Sequence, residues 1–377
     1  MSTTNRWAWA EVDLSALANN VETLVKQAGQ AELWATVKAN GYGHGAVEVA
    51  QIAVASGARG LCVALADEAH ELRHAKITAP ILIVSEQPQD QHEQMLLDDV
   101  CATVYNEATI SSYAATAQRL GVVGKVHLKV DTGMHRVGAP IEDALARAKQ
   151  ISKLQSLTLE GVYTHFAAAD LPEHSQTDLQ LTKFREFVKL LEQNSLRPKY
   201  VHTANSSASL RNLDLTTDIV RVGIAIYGIA PSIELESTSI KLKPVMSVHA
   251  RVSHLQRLGA GEGISYGLRY KLDRPATIAT LPIGYADGIP RRLWSVGGEV
   301  LINGKRCPIV GVVTMDQLMV NCGEMPIKIG DHAVLLGAQD SQTITANQIA
   351  TSLETIGYEI VCGISSRVPR RFIISKK

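Results

Sequence analysis

The chain lacks an excess of charge of either sign and has few cysteines. Its 377 residues carry 37 lysines and arginines against 37 aspartates and glutamates, so there is no net positive field to hold a nucleic acid backbone. The five cysteines are widely scattered, which argues against a zinc site or a redox dithiol. We therefore expect no nucleic acid partner and no metal centre.

Long apolar runs are also missing. No stretch is apolar over the length that a bilayer requires, and the first residues lack the apolar segment of a secretion signal. These absences predict a cytoplasmic protein that does not bind a membrane. Hydrophobic residues make up 46% of the chain, as in ordinary globular proteins. The length favours a large barrel or open sheet with a second domain.

Short apolar runs recur in the first part of the chain with helix-like stretches between them, and this alternation predicts successive βα units. Asp13 is expected to cap a first helix that precedes them. Eight such strands can close into a barrel whose reactive groups gather at the carboxyl ends of the strands. The runs cover residues 33–38, 60–65, 80–85, 101–105, 125–131, 159–165, 200–205 and 218–227.

The sequence changes character after residue 231, and from about residue 242 short alternating stretches are interrupted by glycines. This pattern predicts a smaller, mostly-β domain. The predicted fold is therefore α/β: a (β/α)8 TIM-type barrel in residues 1–240, followed by a mostly-β C-terminal domain in residues 241–377. The expected strands of this second domain cover residues 248–255, 276–282, 299–302, 317–320 and 332–336.

Lys38 ends the first apolar run, and the glycine-rich sequence Ala-Asn-Gly-Tyr-Gly-His-Gly follows it. An amine at the rim of a strand can form an imine with an aldehyde cofactor, and the glycines allow other backbone to approach. A solvated lysine before a turn is equally compatible with these residues. The segment therefore makes Lys38 a candidate, not an assignment.

Two loops are candidates for binding phosphate. In such barrels the loops after the seventh and eighth strands frequently bind phosphate through backbone N–H groups and helix N-termini. Ser206 follows the seventh run, and Gly223 with Ile224 lies in the eighth. An ordinary N-cap serine and a turn glycine would give the same pattern.

Lys129 is expected inside the barrel. It alternates along the fifth run with aliphatic residues that should face the outer helices. An unpaired ammonium is costly there, so Lys129 needs a partner. Asp131 could pair with it; alternatively, a carbamate formed on Lys129 could hold Arg136 by charge-assisted hydrogen bonds.

Arg221 stands within the otherwise apolar eighth run and also needs a partner. The nitrogen of a bound pyridine ring is one candidate, with His165 and His202 nearby; a carboxylate is the other.

Tyr266 lies in the glycine-rich segment at residues 261–267 of the second domain. Flexible chain of this kind can present a side chain to a neighbouring cleft, although a tyrosine is often only a packing residue. A tyrosine has an ordinary pKa of about 10, so it needs cationic or hydrogen-bonding neighbours to act as a base near neutrality.

Taken in order, these motifs resemble those of the alanine racemase family, fold-type III enzymes that use pyridoxal 5′-phosphate. The resemblance runs nearly from end to end of the chain. The matching segments are residues 37–45, 131–138, 163–166, 204–206, 221–224, 261–267, 283–288, 315–317 and 366–370.

The resemblance implies an isomerase that interconverts L- and D-alanine, for peptidoglycan synthesis or alanine catabolism, as a homodimer with shared active sites. Lys38 would hold the cofactor and act as one base, and Tyr266 of the partner subunit would act as the other. Arg136 and Met315 would bind the substrate carboxylate, and Arg221 would face the pyridine nitrogen. Further cofactor-binding or supporting roles are implied for Tyr42, Lys129, His165, His202, Ser206, Gly223, Ile224, Tyr285, Asp316 and Tyr358.

The chain departs from the common family pattern at three positions, Val312, Thr314 and Ser366. These departures affect the electrostatics expected at the active-site entrance and the substrate range.

Three other interpretations stay open. A decarboxylase of the same fold type would use the same lysine; a non-catalytic cofactor carrier would not need the second domain; a metal-dependent barrel hydrolase would need a closer pair of histidine ligands.

Overall fold

The computed structural model describes residues 5–213, 217–237 and 240–375. Within them, eleven α-helices are α1 Leu14–Ala28, α2 Lys38–Tyr42, α3 Ala46–Ala55, α4 Ala66–His74, α5 His92–Leu97, α6 Glu107–Leu120, α7 Ile141–Ser152, α8 Gln176–Gln193, α9 Ser206–Leu210, α10 Ala346–Leu353 and α11 Gly357–Gly363. The strands are β1 Ala8–Asp13, β2 Glu32–Thr36, β3 Gly60–Val63, β4 Ile81–Ile83, β5 Cys101–Val104, β6 Gly124–Asp131, β7 Ala139–Pro140, β8 Leu157–Tyr163, β9 Tyr200–His202, β10 Ile219–Val222, β11 Met246–Arg251, β12 His254–Leu258, β13 Gly263–Ile264, β14 Tyr270–Lys271, β15 Ala276–Leu281, β16 Glu299–Ile302, β17 Lys305–Pro308, β18 Leu318–Asn321, β19 His332–Gln339, β20 Gln342–Ile344 and β21 Arg370–Ile373.

The first domain is built on eight parallel strands in the order β10-β2-β3-β4-β5-β6-β8-β9. Two backbone hydrogen bonds close the circle between β9 and β10, from Asp218 N to Val201 O at 2.8 Å and from Arg221 N to Ala204 O at 3.0 Å. Each of the eight predicted runs overlaps a barrel strand. The structure confirms the predicted barrel, and its strands end at a common rim.

The alternation along β6 explains how this barrel packs. Val126, Leu128 and Val130 are buried in the main apolar core, whereas His127 and Lys129 point into the barrel, where they face Tyr163. Aliphatic residues thus cover the outer wall against the helices, as parallel sheets require. The predicted interior position of Lys129 is confirmed.

The first predicted helix is present as α1. The Asp13 side chain accepts hydrogen bonds from Ser15 N at 2.9 Å and Ala16 N at 3.0 Å, which satisfies two of the free donors at the helix start. The strand β1 before it was not predicted. It pairs with β11 and β21 in the sheet of the second domain, so the N-terminal residues link the two domains.

The second domain contains the sheet β17-β16-β19-β11-β1-β21 and the smaller sheet β12-β15-β18. The structure confirms its mostly-β character, with two corrections. The single strand predicted at residues 248–255 is two strands, β11 and β12, which lie in different sheets. Helices α10 and α11 were not expected. The division at residue 240 stays a proposal.

None of the helices in the described part of the chain combines the length and the apolar character needed to cross a bilayer.

Candidate active site

Lys38 lies two residues beyond the end of β2, at the start of an unusual turn. Ala39, Asn40, Gly41 and Tyr42 all have left-handed backbone angles, with φ between 51° and 60°. Each non-glycine residue in that region costs about 1–2 kcal/mol, so surrounding contacts must hold the turn. No described residue lies within hydrogen-bond or ion-pair distance of Lys38 Nζ, and the amine is partly exposed.

Aromatic packing and buried hydrogen bonds hold this turn. His44 is fully buried and its Nδ1 lies 3.0 Å from Gly41 O and 2.9 Å from Tyr42 O. The Tyr42 ring packs against Tyr227, with centroids 5.0 Å apart, and against Tyr358, 6.0 Å away. Sequence analysis missed His44, although its place inside the glycine-rich motif could have indicated it.

Residues of the second domain also contact the turn that follows Lys38. Arg370 donates a hydrogen bond to Gly43 O at 2.9 Å, and a Cβ at Gly43 would lie 2.4 Å from Val361 O in α11. The positive φ of 81° at Gly43 and this close approach both require glycine. Helix α11, which carries Tyr358, therefore sits directly against the Lys38 turn of its own chain.

The two predicted phosphate loops meet beside Tyr42. Gly223 N donates to Ser206 Oγ at 2.9 Å, and a Cβ at Gly223 would lie 2.5 Å from Tyr42 Oη. Ile224 N opens a short 3-10 helix, so it has no acceptor within that helix. Burial raises the pKa of Tyr42 far above its ordinary value; the phenol therefore keeps its proton and can donate a hydrogen bond to an anion.

Arg221 is buried at the carboxyl end of β10, and its described partners are histidines and carbonyls rather than a carboxylate. It contacts His202 Nδ1 at 2.7 Å and His165 Nδ1 at 3.3 Å, and it donates to Thr164 O at 2.8 Å. The alternative of an arginine–carboxylate pair is therefore wrong. Burial lowers the pKa of Arg221, but a guanidinium starts so high that it stays charged.

His165 stays neutral in this setting. Burial, followed by the charge of Arg221, lowers the pKa of His165 well below its ordinary value. The structure thus brings together Arg221, His165 and His202, the three residues that the sequence placed near a pyridine nitrogen.

Lys129 is 5% exposed and has no ion pair among the described residues. Asp131, the predicted partner, instead accepts three backbone N–H bonds from residues 133–135 at 2.9–3.1 Å. Pairing of Lys129 with Asp131 is therefore wrong: the carboxylate caps the loop that leads to Arg136. Burial, followed by the positive charge of Arg221, lowers the pKa of Lys129 to about 7.

The remaining candidates lie on the second domain and are exposed. Tyr266 is 70% exposed, Met315 53% and Tyr285 41%. The loops that carry Tyr285 and Met315 are joined by hydrogen bonds from Tyr285 N to Thr314 O and from Ala286 N to Met315 O, at 2.9 and 3.0 Å. Asp316 accepts from Arg367 at 2.7 Å. These side chains all lie on connecting segments between strands of the second domain.

Val312, one of the departures from the family pattern, is buried and touches the Tyr266 segment. Ser265 Oγ donates to Val312 O at 2.7 Å, a bond to the backbone that any residue at position 312 could accept. Thr314 Oγ1 bonds Gln317 O at 2.9 Å, and Ser366 is exposed.

Two family models match consecutive parts of the chain. The alanine racemase N-terminal domain matches residues 12–231 and the alanine racemase C-terminal domain matches residues 245–372.

The full-length relatives agree with these models. An alanine racemase from Symbiobacterium thermophilum is 43% identical over 366 residues, covering 97% of each chain. A crystal structure of alanine racemase from Bacillus anthracis with bound L-Ala-P superposes with a TM-score of 0.94 at 42% identity, covering 100% of this chain and 97% of that one. A crystal structure of alanine racemase from E. faecalis gives a TM-score of 0.93 at 38% identity, covering 98% of this chain and 99% of that one.

Proposed function

Because this chain belongs to the alanine racemase family and so interconverts L- and D-alanine, we propose that pyridoxal 5′-phosphate, bound at the rim of the barrel, is its cofactor. One observation carries the proposal: the free amine of Lys38, the Ser206–Gly223 pair and the guanidinium of Arg221 lie on adjacent strand ends, β2, β9 and β10. A lysine, a set of anion donors and a ring partner are the groups that this cofactor needs.

The cradle beside Tyr42 fits a phosphate. Ser206 would supply a hydroxyl donor and Ile224 a backbone donor, and Gly223, whose N–H is bonded to Ser206 Oγ, would let the phosphate approach the backbone. The protonated phenols of Tyr42, from the Lys38 turn, and of Tyr358, from the second domain, would donate further hydrogen bonds. The close approach of Tyr42 Oη to Gly223 leaves no space for a side chain there. The methyl group added by Gly223→Ala would clash with Tyr42 Oη and push that side chain out of the cradle.

Two bases on opposite faces of the substrate would move the Cα proton. Lys38 would attach the cofactor and then serve one face, and Tyr266 of the partner subunit would serve the other. When bound, the cofactor supplies an electron sink for the charge left at Cα. Arg221 would donate a hydrogen bond to the ring nitrogen and keep its own proton, so the sink stays weak and transamination is limited. His165 would connect Arg221 towards the tyrosine.

Arg136 would hold the substrate carboxylate together with the backbone of Met315 of the partner subunit. The guanidinium is exposed and has no ion pair among the described residues, so it is available for a bidentate contact. His202 and Tyr285 would support the site, the first behind Arg221 and the second at the entrance, and Asp316 would fix the Met315 loop through Arg367.

The neutral amine of Lys129 would attack carbon dioxide, form a C–N bond and release one proton to solvent, and the resulting carbamate anion would orient Arg136. A pKa of about 7 leaves much of the amine neutral and nucleophilic at neutral pH. As the pH falls below about 7 the amine gains a proton, and the carbamate should be lost. Carbon-13 NMR after addition of labelled bicarbonate at pH 8 should show one protein-bound carbamate that disappears in Lys129→Ala; no such signal would remove this part of the proposal.

The exposure of Tyr266 supports a homodimer with shared sites. A catalytic tyrosine needs neighbours that lower its pKa, and within one chain this side chain is 70% exposed. Leu268, two residues away, is 59% exposed, as expected for a segment that packs on another subunit. The second copy would bring Tyr266 and Met315 over the barrel rim.

A cytoplasmic location is consistent with the five cysteines, which are free thiols in the structure, because disulfides are rare in reducing compartments. There the enzyme would supply D-alanine for peptidoglycan synthesis or serve alanine catabolism.

Incubation of the purified protein with L-alanine should give equal amounts of the two enantiomers. Chiral chromatography measures this result directly, and simultaneous detection of carbon dioxide tests the decarboxylase alternative. Release of carbon dioxide without D-alanine would overturn the proposed reaction.

A further inference from the structure

A chain of buried side chains runs from Arg221 through the barrel interior to its opposite end. Arg221 contacts His202 Nδ1 at 2.7 Å, and His202 Nε2 lies 2.9 Å from His127 Nδ1. His127 Nε2 lies 3.6 Å from Glu160 Oε2. Both histidines are fully buried, and 22% of the Glu160 side chain is exposed. The sequence did not predict a role for His127 or Glu160, or a contact between them.

Arg221 fixes the protons of both histidines. A guanidinium has donors and no acceptor, so His202 Nδ1 must accept and His202 Nε2 must carry the proton. That N–H then donates to His127 Nδ1, which leaves the proton of His127 on Nε2, directed at Glu160. Burial lowers the pKa of His202 and of His127, so both rings are neutral and each has one such proton.

Glu160 is the charged end of the chain. The contact with His127 lowers the pKa of Glu160 to about 2, so the carboxylate is ionised at neutral pH. His127 Nε2 is buried and has no acceptor within hydrogen-bond distance in the described residues. A buried N–H without an acceptor is costly, and the negative charge of the carboxylate 3.6 Å away offsets this cost, because it attracts the proton on His127 Nε2.

The rings are held in place by aromatic and backbone contacts. His202 stacks on Tyr163, with centroids 4.7 Å apart and an interplanar angle of 7°. A Cβ at Gly161 would lie 2.6 Å from the His127 ring, so the ring fits against the bare backbone of β8. The Arg221 guanidinium lies over the same Tyr163 ring at 4.9 Å.

We propose that His127 and Glu160 are positioning residues for Arg221, acting through His202 to hold the guanidinium in one orientation as a donor towards the cofactor ring. This inference rests on the proposed function. At metal sites, outer-shell groups that orient a ligand typically contribute 10- to 100-fold, and we expect an effect of similar size on Arg221. Neither residue touches the substrate or the cofactor.

The proposed positions of the histidine protons also argue against a metal site at His127 and Glu160. The ligand atoms of Cys101, His127 and Glu160 lie within 4.8 Å of one another, as a zinc site would require. A metal needs an unprotonated nitrogen, but the tautomer order places a proton on His127 Nε2. Cys101 Sγ in turn donates to Glu160 Oε2 at 3.0 Å.

Nitrogen-15 NMR of the full-length protein with its cofactor bound directly shows which ring nitrogen of His127 and of His202 carries the proton. The signals of His127 and His202 can be assigned from the spectra of His127→Gln and His202→Gln. Both rings should be neutral, with the proton on Nε2, and equimolar zinc should leave the His127 signals unchanged. A proton on Nδ1 of either ring, or a zinc-dependent shift at His127, would overturn the inference even if the protein racemises alanine.

Two variants of Glu160 test the consequence. Glu160→Leu removes the oxygen that faces His127 Nε2 and should lower kcat about tenfold and raise pyruvate released per racemisation about tenfold, because a displaced Arg221 no longer limits transamination. Glu160→Gln keeps an oxygen that faces His127 Nε2 and should restore both values to within about threefold. Equal behaviour of the two variants, or a loss of kcat without a change in pyruvate, would contradict a positioning role. If Glu160→Leu does not fold, the nitrogen-15 NMR spectrum of the unaltered protein still tests the proposed positions of the histidine protons.

Discussion

Replacement of Lys38 by alanine is expected to abolish both the visible absorbance of the bound cofactor and essentially all racemisation. The amine is proposed to attach the cofactor and to move the Cα proton on one face, so its loss removes two functions at once. Residual turnover should fall to the uncatalysed background. The measurements are an absorption spectrum after addition of pyridoxal phosphate and the initial rate of D-alanine formation.

Lys26→Ala is a matched control, because Lys26 is an exposed residue in the last turn of α1. It should keep the spectrum and the rate of the unaltered protein. If Lys38→Ala keeps its absorbance and its turnover, the assignment of the cofactor lysine is wrong.

Replacement of Tyr266 by phenylalanine is expected to lower racemisation by about 10²- to 10⁴-fold, or about 3–5 kcal/mol, the usual contribution of a positioned acid or base. Because the two enantiomers have equal free energies, kcat/KM must fall by the same factor in both directions. The Cα proton of one enantiomer should still exchange with solvent, since Lys38 remains on its face. Deuterium incorporation without inversion, measured in heavy water from each enantiomer, separates these effects.

Tyr270→Phe is the control for this experiment. Tyr270 lies in β14 of the same small hairpin and has no proposed role, so racemisation should stay within about threefold. Fast exchange of both enantiomers in Tyr266→Phe would show that Lys38 reaches both faces, and the two-base proposal would be withdrawn.

Mixed dimers test whether each site is shared. In a dimer of one Lys38→Ala and one Tyr266→Phe subunit, one site combines an intact lysine with an intact tyrosine and the other has neither. Random exchange of equal amounts should therefore restore about a quarter of the unaltered activity. No recovery, despite exchange shown by mass spectrometry, would contradict the shared site.

The barrel could be predicted because its signals are local. The alternation of Lys129 with its aliphatic neighbours reports which side of β6 faces the helices, and Asp13 marks the start of α1. The pairing of β1 with β11 and β21 depends on contacts across more than two hundred residues, so no local pattern indicates it. The strand at residues 248–255 was predicted as one because its alternation continues across the break between β11 and β12.

The site was predicted unevenly for a similar reason. Lys38, Arg221 and Ser206 stand at strand ends, where barrels place reactive groups. The left-handed turn after Lys38 depends on packing from α11 and Arg370, which the motif itself does not show. Asp131 lies two residues after Lys129 along β6, a spacing that suggested a pair, but its carboxylate accepts hydrogen bonds from the following loop. The link from Arg221 to Glu160 crosses β9, β6 and β8, and it becomes visible only when the barrel closes.

Reduction of the protein with borohydride after loading with pyridoxal phosphate tests the central claim most directly. Digestion and mass spectrometry should then find the reduced cofactor on the ε-nitrogen of Lys38. A protein that takes up no label, or takes it up at another lysine such as Lys129, would contradict the account.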